Sequence, residues 1–192
     1  MENYGTKVDH AVAARLKALR TEGGLTLDQL AEASGVSRAM ISRIERGEAS
    51  PTAVLLARLC SALGESLSSF FAAPESGAPL MRAADQPQWT DPASGYVRRA
   101  VSPPRTGSPV DLVDVTMPPG QSVSFPPQAS SEGVMQHVWV LSGQLVLTVA
   151  DVIHEMSAGD CLYHDIGRGH SFANKGTEPV RYAVVLEHKR VR

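Results

Sequence analysis

Apolar residues in the first third of the chain recur at three- and four-residue intervals: Val12, Leu16 and Leu19, then Leu27, Leu30 and Ala31, then Leu55, Leu59 and Leu63, then Leu67, Phe70 and Phe71. That spacing gives each segment one buried stripe, so short amphipathic helices are predicted between residues 8 and 71. The residues between the stripes agree. Thr26 followed by Gln29 reads as a capping box, Ser37 as the cap of the next helix, Ser50-Pro51 as the start of another and Gly64 as its end. The run "AAPESGAP" (72–79) is small, aperiodic and contains proline and glycine, which is linker composition.

After that run the period falls to two. "QHVWVLSGQLVLTV" (136–149) alternates on both sides of Ser142-Gly143 and is predicted to be a β-hairpin. "VIHEM", "CLYH", "HSFAN" and "VRYAVVLEH" follow, separated by "SAGD", "DIGRG" and "KGTE", the rhythm of a small sandwich or barrel. "MPPGQSVSFPP" marks a bend ahead of them. The expected organisation is a helical domain over 1–72, a linker over 73–80 and an all-β domain over 81–192.

Composition narrows the function classes. No apolar run reaches the roughly 18 residues of a membrane span and the N-terminal stretch is polar, so a cytoplasmic protein without a membrane partner is expected. Cys60 and Cys161 both fall in apolar patterns and read as reduced, packed thiols. With 192 residues and a net charge of −2, bulk charge does not point to nucleic acid, and any basic surface must be local.

Such a surface is predicted in "GVSRAMISRIERGEASPT" (35–52). On a helix over 38–46, Ile41 and Ile44 share one face with Val36 leading into it, while Arg38, Ala39, Ser42 and Arg43 lie on the other. Gly35 supplies the positive φ of a sharp helix-to-helix turn, and Ala31 allows close approach. This is helix-turn-helix spacing, with the second helix placed to enter the major groove.

The run "LTLDQLAEASGVSRAMISRIERG" resembles the XRE/Cro-type, lambda-repressor-like helix-turn-helix family, a domain of five helices, over about residues 8–71. The resemblance implies base-reading positions at Arg38, Ala39 and Arg43, and phosphate-proximal ones at Thr26, Ser37 and Ser42. It also implies an ion pair, Arg20 with Glu45, that ties the first helix to the recognition helix. Many members carry glutamine where this chain has Leu27, which cannot donate to the DNA backbone. Residues 1–72 hold eight basic and eight acidic side chains, so one copy is expected to bind weakly. A homodimer on a pseudo-palindromic double-stranded operator, with half-sites about one helical turn apart, is expected instead.

The second half resembles the cupin family, a double-stranded β-helix or jelly-roll barrel. "GDCLYHDIGRGHSFAN" (159–174) keeps the second cupin motif at Gly159, Gly167, His170 and Asn174, with Asp165 where proline is usual. The first motif is degraded. Its His-x-His falls on Ser130 and Glu132, and its glutamate on Gln136. Of the metal set only His170 remains, so no cofactor is expected beyond a weak or degenerate site at Gln136 and His170, with Glu132 as an assisting group. His137 is expected on the face opposite Gln136, and His10, His154, His164 and His188 as surface or packed residues.

Taken together, the expectation is a non-enzymatic transcription regulator, a repressor in sign. Its barrel senses a small-molecule effector through Ser130, Glu132, Gln136, His170 and Phe172. Two alternatives are a helix-turn-helix-fused cupin metalloenzyme of the non-haem iron epoxidase type and a barrel that serves only dimerisation; Trp139 and Tyr163 are expected either as core or dimer-interface aromatics or as ligand contacts.

Overall fold

The computed structural model describes residues 4–71, 78–104, 106–127 and 133–187. The chain divides into two compact units, Met1–Phe71 and Ala72–Arg192. Most of the expected linker lies outside the described residues.

The first unit holds α1 (Tyr4–Glu22), α2 (Leu27–Ser34), α3 (Arg38–Glu45), α4 (Ala53–Ala62) and α5 (Leu67–Phe71). A five-helix domain was expected. Four of eight residues or more are found, and α5 is a single five-residue turn. Too few residues follow Gly64 and precede the aperiodic segment for a longer stripe. The caps follow from side-chain chemistry. Thr26 accepts from the Gln29 amide while Gln29 Oε1 accepts from the Thr26 amide at 2.8 Å, closing a capping box, and Ser37 accepts from the Met40 amide at 3.2 Å. The α4 cap is Thr52 and not Ser50: its hydroxyl accepts from the Leu55 amide, and Pro51 precedes the helix. Val12, Leu16, Leu30, Ile41, Ile44, Leu56 and Leu59 form the core, with α3 packed on α1 and α2.

The second unit is β-rich, with ten strands among the described residues: β1 (Gln88–Thr90), β2 (Val97–Ala100), β3 (Val110–Met117), β4 (Ser122–Phe125), β5 (Met135–Ser142), β6 (Gln144–Val149), β7 (Val152–Ser157), β8 (Cys161–Asp165), β9 (His170–Ala173) and β10 (Val180–Glu187). They form a six-stranded sheet, β1-β2-β3-β10-β5-β8, and a four-stranded sheet, β4-β9-β6-β7, antiparallel throughout. The sheets face each other: Phe172 of β9 stacks on Tyr182 of β10 at 5.3 Å between ring centroids. Alternation sends Val113, Val115, Met117, Val138, Val140, Leu145, Leu147 and Val184 inward, and all are buried.

The predicted hairpin across Ser142-Gly143 is corrected. β5 pairs with β10 and β8, whereas β6 pairs with β7 and β9. Ser142-Gly143 is therefore a corner where the chain changes sheets. Gly143 sits at φ +82°, and a Cβ there would lie 3.0 Å from the Pro179 carbonyl oxygen and the Val180 Cα. Only glycine fits. The tight hairpin is the next connection, β6 to β7, turning at Ala150-Asp151 with Val149 opposite Val152.

Candidate nucleic-acid interface and barrel interior

The turn between α2 and α3 is built from main-chain and side-chain bonds. Gly35 takes φ +63° and donates its amide to the Ala31 carbonyl at 2.8 Å, ending α2 with a left-handed residue. Ser34 gives its hydroxyl to the Leu30 carbonyl and accepts from the Val36 amide, and the Arg58 guanidinium binds the carbonyls of Ser34 and Gly35 at 3.0 and 2.6 Å. These bonds fix the angle at which α3 leaves α2.

On α3, Ile41 and Ile44 are buried while Arg38, Ala39 and Arg43 are exposed and Ser42 is partly exposed. Thr26 and Ser37 are exposed at the starts of α2 and α3. The six positions expected to meet DNA therefore lie outside the core, at one end of α2 and along the outer face of α3. Arg20 of α1 donates Nε and Nη2 to Glu45 at 2.6 and 2.8 Å and Nη1 to the Leu25 carbonyl at 2.8 Å. Donating to the Glu45 carboxylate raises the Arg20 pKa against the opposing effect of burial. The pair thus locks α3 to α1.

Inside the barrel, Gln136 of β5 and His164 of β8 are paired in register, both buried, with Gln136 Nε2 and His164 Nε2 2.7 Å apart. His164 Nδ1 lies 3.2 Å from the Asp165 carbonyl. The Nδ1–H tautomer satisfies both contacts: the ring donates to that carbonyl and accepts from the Gln136 amide. Burial lowers the His164 pKa. His170 of β9 meets His164 edge-on at 5.1 Å and stacks on Phe125 at 5.1 Å. Burial, helped by His164 and opposed by the main chain of Ile166, pushes its pKa down to about 3. His170 Nδ1 is buried without a hydrogen-bond partner.

The structure brings Gln136, His170 and Phe172 to one interior. Ser130 and Glu132 lie outside the described residues. His164, expected to be surface or packed, completes the polar cluster. Its signal was present in "CLYHD", where alternation with exposed Cys161 and Tyr163 turns Leu162 and His164 inward, but reading it needs the β5–β8 pairing. His137 faces outward, opposite to Gln136.

As a metal site these donors do not fit. Among the described residues no group of three His, Cys, Asp or Glu is placed to hold an ion. The His164 lone pair is taken by an amide N–H, and the third donor, Gln136, is neutral. Cys161 corrects a further expectation. It is exposed on the outer face, 3.9 Å from His137 Nδ1. Trp139 and Tyr163, 49% and 50% exposed, share that face and belong neither to the core nor to the interior.

The helix-turn-helix family pattern matches residues 16–70 and the cupin domain pattern residues 113–186. The chain is 28% identical to HTH-type transcriptional regulator SutR of Escherichia coli over 179 residues, 93% of this chain and 96% of that protein. A crystal structure of an HTH_3 family transcriptional regulator from Vibrio cholerae matches at TM-score 0.79 and 26% identity, covering 97% of this chain and 99% of that one. The iron(II) form of HppE, a hydroxypropylphosphonic acid epoxidase, matches at TM-score 0.50 and 18% identity over 93% of this chain and 99% of that one, a likeness of fold alone. No helix among the described residues is long and apolar enough to cross a membrane.

Proposed function

This chain belongs to the XRE-type helix-turn-helix regulators with a C-terminal cupin domain, and from that premise we propose that it is a ligand-responsive repressor binding a pseudo-palindromic operator as a homodimer. The observation that carries the reading is the outer face of α3. Arg38, Ala39 and Arg43 project from a helix whose other face is buried and whose start is capped, on a unit with a fixed inter-helix turn. A guanidinium at such a position donates two hydrogen bonds to guanine O6 and N7, and Ala39 suits contact with a thymine methyl. Arg43 makes no ion pair among the described residues. Dimerisation is supported by the exposed aromatic face of the larger sheet, because two weakly charged reading heads gain affinity when joined.

Genome-wide footprinting tests this reading. Wild type is expected to protect discrete sites made of two inverted half-sites about one helical turn apart. Arg43→Ala is expected to weaken specific binding roughly 10- to 100-fold and relax one base pair per half-site, with helix content unchanged. Unchanged specific binding by this variant would remove α3 from the interface, and unpaired half-sites would remove the dimer.

The barrel is proposed to hold the effector. Two imidazoles and an amide form a neutral polar cluster among aromatic rings, and one buried ring nitrogen lacks a partner, as in a site that orients a small molecule by a few hydrogen bonds. Among the described residues the cluster offers no carboxylate, and the His164 lone pair is already engaged by the Gln136 amide, which weighs against the metalloenzyme reading, whose chemistry needs a carboxylate and open coordination. A melting-shift screen of small metabolites should find a compound that stabilises wild type but not His170→Ala, and that releases wild type from its operator. An equal shift in both proteins would take His170 out of the effector site and favour a purely structural barrel. On this reading the effector acts by binding one state better than the other, a coupling of ~1–3 kcal/mol.

A further inference from the structure

The arginines around α3 differ in how many of their N–H donors are already engaged. Arg20 is committed on all three nitrogens, to Glu45 and the Leu25 carbonyl. Arg46 is equally committed: Nε and Nη2 bind Glu48 at 2.6 and 2.7 Å, and Nη1 binds the Ser42 hydroxyl. Every nitrogen of both already has an acceptor. Arg38 is different, because it meets the Asp28 carboxylate through Nε, 3.1 Å from Oδ1. Its two terminal nitrogens remain available, and that pair has the spacing of guanine O6 and N7.

Asp28 stands in the first turn of α2. Of its neighbours there, Leu27 is apolar and Gln29 is held in the capping box, so Asp28 is the side chain of that turn equipped to hold a guanidinium. The pair is not a stability device. Both side chains are mostly exposed, 61% and 76%, and exposed pairs contribute little to folding.

Resting on the proposal that α3 reads DNA, we propose that Asp28 is a positioning and specificity-determining residue for Arg38. Its carboxylate draws the guanidinium from the Nε side as an ion pair, leaving the terminal fork for a guanine edge. Ordering the side chain before encounter removes an entropic cost that would otherwise fall on specific binding, about two- to tenfold per side chain. Exclusion of water on docking strengthens the contact. The same negative charge lies beside phosphate positions at the start of α2, so it weakens binding to any duplex that lacks the matching base. Asp28 therefore acts on discrimination more than on affinity.

The experiment is selection of bound duplexes from a randomised library of about 20 base pairs, with full-length wild type, Asp28→Asn and Arg38→Ala, followed by titration of selected and unrelated duplexes. Arg38→Ala identifies the base pair that Arg38 reads. Asp28→Asn is expected to lose preference at that same base pair by roughly three- to tenfold, while binding an unrelated duplex two- to threefold more tightly. Circular dichroism should show wild-type helix content. Asp28→Asn with wild-type preference at that position would overturn the proposal. Wild type that selects a site which Arg38→Ala reads identically would also overturn it, leaving the DNA-binding reading intact. Wild type that selects no sequence would overturn both.

Discussion

Glu45→Ala is expected to unfold the helical unit near ambient temperature while the barrel stays folded. The two side chains of the Arg20–Glu45 pair are only 12% and 7% exposed, and three donors of one guanidinium are satisfied within the unit. Removing the carboxylate leaves a largely buried cation with one carbonyl for company, a loss of ~3–5 kcal/mol. A domain of this size has only ~3–10 kcal/mol in total. The loss also falls where it matters for binding, since the pair joins α1 to the last residue of α3. The chain's composition allows a clean measurement. Its only two tryptophans, Trp89 and Trp139, lie in the β unit, so their fluorescence follows the barrel while ellipticity at helical wavelengths follows α1 to α4. Two separate transitions are expected in Glu45→Ala, the helical one strongly lowered and the fluorescence one unmoved. Replacing both partners by apolar residues of similar volume should restore much of the helical transition, because the cost lies in the stranded charge and not in the missing pair. A helical midpoint within about 1 kcal/mol of wild type would show that water reaches Arg20 and that the pair adds little.

What the sequence disclosed, and what it hid, divides along the range of the interactions. Thr26, Gln29, Ser37 and Gly35 act within four residues of themselves, so caps and turn could be read directly from the chain, as could the inward set Ile41 and Ile44. The Arg20–Glu45 contact spans 25 residues and was reached through resemblance, not periodicity. In the β unit, alternation sorted Gln136 from His137 correctly because that sorting is local. Pairing is not. Ser142-Gly143 has the composition of a hairpin turn, and only the close approach of Pro179 and Val180 to Gly143 shows that it is a corner between sheets. The same limit hid His164, whose partner Gln136 lies 28 residues away across a strand pair that no local pattern announces. Cys161 was misplaced for a related reason: an apolar neighbourhood in sequence became the solvent face of β8.

Acid is expected to destabilise the barrel well above the range in which carboxylates titrate, and His170 is the main cause. Its folded pKa is about 3, against roughly 6.5 for an unfolded histidine. Between those values the unfolded chain takes up a proton that the buried ring refuses. The stability that neutral His170 confers is therefore complete above about pH 6.5 and is lost as pH falls toward 3. From pH 6.5 to 5 the loss is ~1.5–2 kcal/mol from this residue alone, with His164, also lowered by burial, adding in the same direction. Asp114 acts in a lower window. Burial raises its pKa, but the bonds from Arg181 and Arg99 outweigh this and hold it below the ordinary value, so its contribution fades only under more acidic conditions. Urea unfolding followed by tryptophan fluorescence should thus show a steep pH dependence above pH 5 in wild type and a shallower one in His170→Asn. Parallel curves would mean that the ring is solvated in the folded barrel. A ligand that donates a hydrogen bond to the bare Nδ1 of His170 needs the imidazole neutral, and the depressed pKa keeps it so. Effector binding should consequently persist at pH 5, where an ordinary solvent-exposed histidine would already carry a proton and refuse the bond.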